Sequence, residues 1–191
     1  MSGSDLLGED EGIQMKNRRV SKLPFKVLDA PNITDDFYLN LLDWSAKNVL
    51  AVALYNAVYI WSAETQRCQK LCQVEHDDSI TSVGWSQSGS HLAVGTHRGI
   101  IMIYDTTGQG PVRKIGGHNS RVSAVAWNQQ IISTGSRDRT IMNNDLRAPQ
   151  KINRLVGHKQ EVCGLKWSFD NSQLASGGND NKLFIWSLNS N

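Results

Sequence analysis

Cysteine is scarce in this chain. Cys68, Cys72 and Cys163 form no CxxC pair, and their odd number suits reduced thiols packed as small core residues better than a disulfide framework. An excess of charge of one sign is also missing. Twenty basic residues against 18 acidic ones leave a net charge of +2, which argues against nucleic acid or an anionic membrane as the main partner and for specific protein contacts. Long apolar runs are absent too. The longest, such as Val49–Leu54, are the size of strands, far below the roughly 20 residues a membrane helix requires. Only Leu6 and Leu7 precede the acidic residues Glu9, Asp10 and Glu11, so no charged n-region leads into an apolar h-region. A protein of the nucleus and cytoplasm is expected. At 191 residues and 39% hydrophobic content the chain is long enough for one soluble domain with a sizeable core.

What the chain does have is periodic tryptophan. Trp44, Trp85, Trp127 and Trp167 stand at intervals of 41, 42 and 40 residues. A second series follows each by 17 to 19 residues: Trp61, Tyr104, Asn144 and Trp186, with Asp105 and Asp145 after the middle two. That doubling is the signature of WD-repeat β-propeller blades. The expected fold is therefore all-β, a partial propeller of about four blades at 39–75, 80–116, 117–156 and 157–191, the last lacking its outer strand. Alternating apolar residues bounded by Gly, Asn, Asp and Ser give blade two the strands 81–85, 91–96, 100–104 and 111–115. Blade three repeats them at 122–127, 131–134, 140–144 and 151–155, and blade four has 161–167, 173–176 and 182–186. Residues 1–25 carry few aliphatics and turn from acidic to basic, which predicts a disordered tail. Its Arg18-Arg19-Val20-Ser21 stretch has the form of a basophilic kinase site, and its basic cluster that of an import signal, although a solvated charged tail is the simpler reading. The open Leu183-Phe184-Ile185-Trp186 edge and the outer side of blade one predict that the isolated chain is unstable or self-associates.

Histidine, hydroxyl and aspartate recur together, as a hydrolase triad would combine them. His158, Ser176, Asp180 and Trp186 in blade four, and His118, Thr134 and Asp138 in blade three, have the spacing of the WD-repeat structural tetrad, in which buried polar groups satisfy one another. A constellation that returns with the repeat is structural, because a catalytic triad needs to occur once. Asn144 replaces the blade-three tryptophan, so that network is expected to be weaker. No HExxH, CxxC or Walker-type loop is present, and the Gly108-Gln109-Gly110-Pro111 turn leads into no helix. Neither catalysis, a cofactor nor a metal has support from the residues. Gly177-Gly178-Asn179-Asp180-Asn181 places two amides at a turn near one rim, where they can serve the turn geometry or bind a polar ligand.

The stretch Lys22-Leu23-Pro24-Phe25-Lys26-Val27-Leu28-Asp29-Ala30-Pro31, then Asp35-Asp36-Phe37-Tyr38-Leu39-Asn40-Leu41-Leu42-Asp43-Trp44-Ser45, closely resembles the Fizzy and Fizzy-related coactivators of the anaphase-promoting complex. The likeness continues through Gly95-Thr96-His97, Ser136-Arg137-Asp138-Arg139 and Ala175-Ser176-Gly177-Gly178-Asn179-Asp180-Asn181, and it favours the Fizzy-related branch. The resemblance implies a seven-bladed propeller that captures KEN-box and D-box degrons and presents their owners to a ubiquitin ligase. It implies D-box binding at Leu28 and Asp29, whose carboxylate suits the degron arginine. For the KEN-box it implies Asp36, Phe37, Asn179 and Asn181, and for ABBA-motif proteins a groove in the region of blades two and three. The family docks on its ligase through a C-box and an isoleucine-arginine tail. Neither is found here, so a truncated coactivator is expected, with a generic WD-repeat scaffold or a degron-binding competitor as alternatives.

Overall fold

The computed structural model describes residues 20–106, 110–148 and 152–187. Fifteen strands make four antiparallel sheets in which neighbours in sequence are neighbours in space. The first sheet is β1 (Leu42–Trp44), β2 (Val49–Leu54), β3 (Ala57–Ser62) and β4 (Cys68–Gln73). The second is β5 (Ile80–Trp85), β6 (His91–Thr96), β7 (Ile101–Asp105) and β8 (Pro111–Ile115). The third is β9 (Val122–Asn128), β10 (Ile131–Ser136), β11 (Thr140–Asp145) and β12 (Ile152–Val156). The fourth, among the described residues, is β13 (Val162–Trp167), β14 (Gln173–Gly178) and β15 (Leu183–Ser187). These are propeller blades, each begun by its inner strand, with β1 against β5, β5 against β9 and β9 against β13. Blade one, least regular in sequence, forms all four strands.

The predicted second strands of blades three and four stop at Thr134 and Ser176, whereas β10 and β14 run on to Ser136 and Gly178. Pairing continues there through irregularities in register against β9 and β13, and glycine and serine carry too little apolar character to reveal it. The tail expected over 1–25 lies outside the described residues except for 20–25, which are exposed and strandless.

Apolar side chains fill the clefts between blades. One cluster joins Ala51, Val58 and Ile60 of blade one to Ile80, Leu92 and Val94 of blade two. The next holds Ala93, Ile101 and Ile103 with Val122 and Ile132, and a third gathers Ile141, Val162, Trp167 and Leu174. The repeating tryptophans have a further role. In blades two to four the indole N–H donates to the preceding blade: Trp85 to the Asp43 carbonyl at 3.2 Å, Trp127 to the Gly84 carbonyl at 2.8 Å, and Trp167 to Ser133 Oγ at 3.1 Å. A bulky ring thus fills the wedge while its polar edge is satisfied.

The segment before β1 straps the blades together. Asn40 pairs in parallel with Ser82, and the Ala53 N–H donates to the Leu41 carbonyl at 2.9 Å. The Asn40 amide donates onward to the carbonyls of Ser123, at 2.6 Å, and Cys163, at 3.3 Å. One short segment therefore touches the inner strands of blades two, three and four, which sets where Asp36 and Tyr38 sit.

Candidate functional site

Both histidine constellations assemble. His158 Nδ1 lies 3.1 Å from Asp180, its Nε2 is 2.9 Å from Ser176 Oγ, and the Trp186 indole donates to that same oxygen at 2.8 Å. His118 meets Asp138 at 2.9 Å and Thr134 at 2.9 Å. The side chains of His118 and His158 are 0% and 1% exposed, so neither imidazole is presented to a substrate. Asn144 is buried with its amide nitrogen unpartnered, and it supplies no donor to Thr134. Each aspartate also reaches the loop before the inner strand, Asp138 accepting from the Asn119 N–H at 3.0 Å and Asp180 from the Lys159 N–H at 2.7 Å. These bonds hold the start of each inner strand to the turn after the second strand, which is the rim where the predicted amides lie.

The same backbone bond recurs on that rim in three blades: His97 N–H to Ser79 carbonyl at 2.8 Å, Arg137 to Arg121 at 3.1 Å, and Asn179 to Glu161 at 2.8 Å. Ser79, Arg121 and Glu161 are thus equivalent positions on successive blades, as are His97, Arg137 and Asn179. Where blade two has serine, blades three and four face each other with opposite charges. Arg121 grips Glu161 with two N–H groups, Nε to Oε1 at 2.7 Å and Nη2 to Oε2 at 2.9 Å, and its Nη1 reaches Asp36 at 2.8 Å. The guanidinium also lies 5.2 Å from the centre of the Tyr38 ring. Ser123 donates a further hydrogen bond to Glu161.

Above this network opens a polar basin of about 410 Å³ lined by Asp36, Tyr38, Arg121, Arg137, Arg139, Gln160, Glu161 and Asn179. The Tyr38 N–H, at 2.9 Å, and then Arg121 hold the Asp36 carboxyl below its ordinary value despite some burial. Glu161 in turn secures the charge on Arg121. Asp36 stays an anion with lone pairs to spare, and the Asn179 amide, which donates to Gln160 at 2.8 Å, adds a neutral donor and acceptor. The basin can therefore hold an ammonium group beside a side-chain amide.

Of the residues expected at the KEN-box site, Asp36 and Asn179 come together in this basin. Phe37 and Asn181 are exposed and outside its lining, Phe37 resting edge-on against Tyr38 and Asn181 holding its turn at φ +60°. Leu28 and Asp29 lie in the exposed, strandless stretch before the strap, outside the lining of this basin. The sequence reading missed Arg121 and Glu161. Their signal was present, since each immediately precedes an inner strand and they stand one 40-residue repeat apart. A second cavity, about 690 Å³, runs along the inner strands past Trp85, Trp127 and Trp167 and contains none of the predicted binding residues. Among the described residues, Cys68, Cys72 and Cys163 are free thiols, and no cluster of three or more His, Cys, Asp or Glu could hold a metal ion.

Comparison with known proteins places this geometry. The B-type cell cycle switch protein ccs52A of Medicago truncatula is 53% identical over 174 residues, covering 91% of this chain and 37% of that protein. Protein FIZZY-RELATED 2 of Arabidopsis thaliana is 53% identical over 174 residues, covering 91% and 36%, and anaphase-promoting complex subunit cdh1 of Dictyostelium discoideum is 52% identical over 172, covering 88% and 23%. The chain thus spans well under half the length of the curated relatives it matches. Among solved structures, a chain of the mitotic checkpoint complex superposes with a TM-score of 0.86 at 45% identity, over 93% of this chain and 57% of that one. The model of the CDC20/Fizzy WD40 domain matches residues 28–191, and with the four stacked blades and these relatives it shows that the chain belongs to the CDC20/Fizzy WD-repeat family.

Proposed function

We propose that this chain is the degron-receiving part of a non-enzymatic coactivator of the anaphase-promoting complex, working in the nucleus and cytoplasm, and that its polar basin binds the KEN-box. Asp36 carries the reading: an anionic carboxylate, held from two sides by the Tyr38 N–H and Arg121, shares one basin with the Asn179 amide. That pairing suits the lysine and asparagine of a Lys-Glu-Asn peptide. Leu28 and Asp29, exposed ahead of the strap, serve the D-box, with the carboxylate meeting its arginine. Proteins with an ABBA motif use the region of blades two and three. The names of the relatives support the ligase assignment, since one is an anaphase-promoting complex subunit.

Fluorescence anisotropy with a labelled KEN-box peptide tests the basin. Asp36→Asn and Asn179→Ala are each expected to weaken binding by about 1–3 kcal/mol, the cost of losing one partner of a desolvated polar contact. Equal affinity for a scrambled peptide, or unchanged titrations in both variants, would sink the proposal.

A further inference from the structure

The basin holds more positive charge than its own carboxylates consume. Asp36 and Glu161 are both engaged by Arg121, which leaves Arg137 and Arg139. Neither of these two guanidinium groups makes a hydrogen bond or ion pair among the described residues, and both are exposed on the basin wall. Arg137 acts on Asp36 through space.

Repeat equivalence gives the pair its meaning. Arg137 and Asn179 make the same backbone bond to the preceding inner-strand start, and Asp138 and Asp180 are the tetrad acids that follow them. Arg139 and Asn181 then take the same left-handed conformation, at φ +74° and +60°, where blade two has Gly99 at φ +82°. Blade three therefore presents two arginines from the turn positions where blade four presents two amides. A left-handed arginine is unfavourable compared with glycine or asparagine, and nothing in the turn requires it: the Arg139 N–H bonds the Ser136 carbonyl at 3.1 Å just as the Gly99 N–H bonds Thr96 at 3.2 Å. The side chain, rather than the turn, accounts for arginine there.

We propose that Arg137 and Arg139 form an oxyanion subsite on the blade-three wall of the basin, which reads a carboxylate or phosphate on a peptide residue flanking the Lys-Glu-Asn triplet. The inference rests on the basin being a KEN-box site and adds a selectivity to it. Guanidinium groups offer paired donors that match either oxyanion. Both arginines are exposed, so the gain is modest and screened by salt.

The test compares three KEN-box peptides whose flanking residues are glutamine, glutamate or phosphoserine, titrated by anisotropy against the full chain and against an Arg137→Glu/Arg139→Glu variant. Acidic flanks are expected to tighten binding to the unaltered chain about fivefold over glutamine flanks at low ionic strength, with the advantage shrinking in 0.5 M salt. The glutamate and phosphoserine arms show which oxyanion is preferred. In the charge-reversed variant the order inverts, glutamine flanks binding better than acidic ones, an outcome that misfolding would not produce. Equal affinity for all three peptides, each well above a scrambled control, overturns the subsite while leaving the basin reading intact. Failure of every peptide to exceed the scrambled control overturns both.

Discussion

Arg121 is the residue on which the site's electrostatics turn. Its partner Glu161 has a side chain only 7% exposed, and two N–H groups of Arg121 face its carboxylate. Arg121→Met is expected to destabilise the fold by about 3–5 kcal/mol, because it strands a buried charge, whereas Arg121→Met with Glu161→Met recovers most of the loss. Urea denaturation of the single and double variants checks this, and equal losses in both would contradict it. His118 and Asp138 make stability sensitive to acid. Burial pulls the His118 imidazole below its ordinary value, with Asp138 pulling the other way, so the folded form holds fewer protons than the unfolded chain. That contribution is complete above the unfolded value of about 6.5 and fades as pH falls below it. Burial acts to raise the Asp138 carboxyl, yet hydrogen bonds from Thr140, the Asn119 N–H and His118 hold it at about 2, so its contribution fades as pH falls from the unfolded value toward 2. Thermal melts from pH 8 to pH 2 are expected to show Tm falling in two stages, below about 6.5 and again below about 4. A Tm that rises between pH 7 and pH 5 would refute the first.

Matched positions in successive blades separate packing from backbone preference at the scale of the strand. Gly135 in β10 and Gly177 in β14 occupy equivalent places beside the inner strand. A Cβ on Gly135 would lie 2.6 Å from Val162 Cγ1, in the buried cleft between blades three and four, while one on Gly177 would meet nothing within 4 Å. Gly135→Ala is expected to cost about 1–3 kcal/mol and Gly177→Ala less than about 0.5, measured by denaturant melts. The strands were legible in sequence because strand-sized segments bounded by turn residues recur in every blade, as in His91–Thr96 and Pro111–Ile115, which the structure forms over those same residues. The ends of β10 and β14 were not, since what extends them is register against a neighbour rather than their own composition. Asn144 illustrates the limit from the other side. Its place in the repeat predicts a weaker network, and in the structure its amide nitrogen is buried without a partner.

On the molecular scale, the described blades cover one another's faces except at the two ends of the stack. On blade four, Leu183 and Ile185 of β15 are 72% and 58% exposed, and Phe169, in the turn before β14, is fully exposed. Among the described residues β15 pairs on one side alone. Such a surface favours association. Sedimentation velocity of the chain is expected to show weight-average mass rising with concentration, and Leu183→Lys with Ile185→Lys to suppress the rise. A concentration-independent monomer with a sharp melt would rule this out.

The sequence by itself determined the architecture and the tetrads, because both are written once per blade and a pattern repeated every 40-odd residues can be read without knowing how the blades meet. It also marked Asp36 and Asn179, through resemblance. Only the tertiary structure decided that Asp36 shares Arg121 with Glu161, across separations of 85 and 40 residues. Repetition shows which positions are equivalent. It does not show where an unrepeated strap crosses the rim, and that crossing, fixed by Asn40 and Leu41 bonding to neighbouring strands, is what turns two opposite charges on adjacent blades into a basin with an acid at its edge.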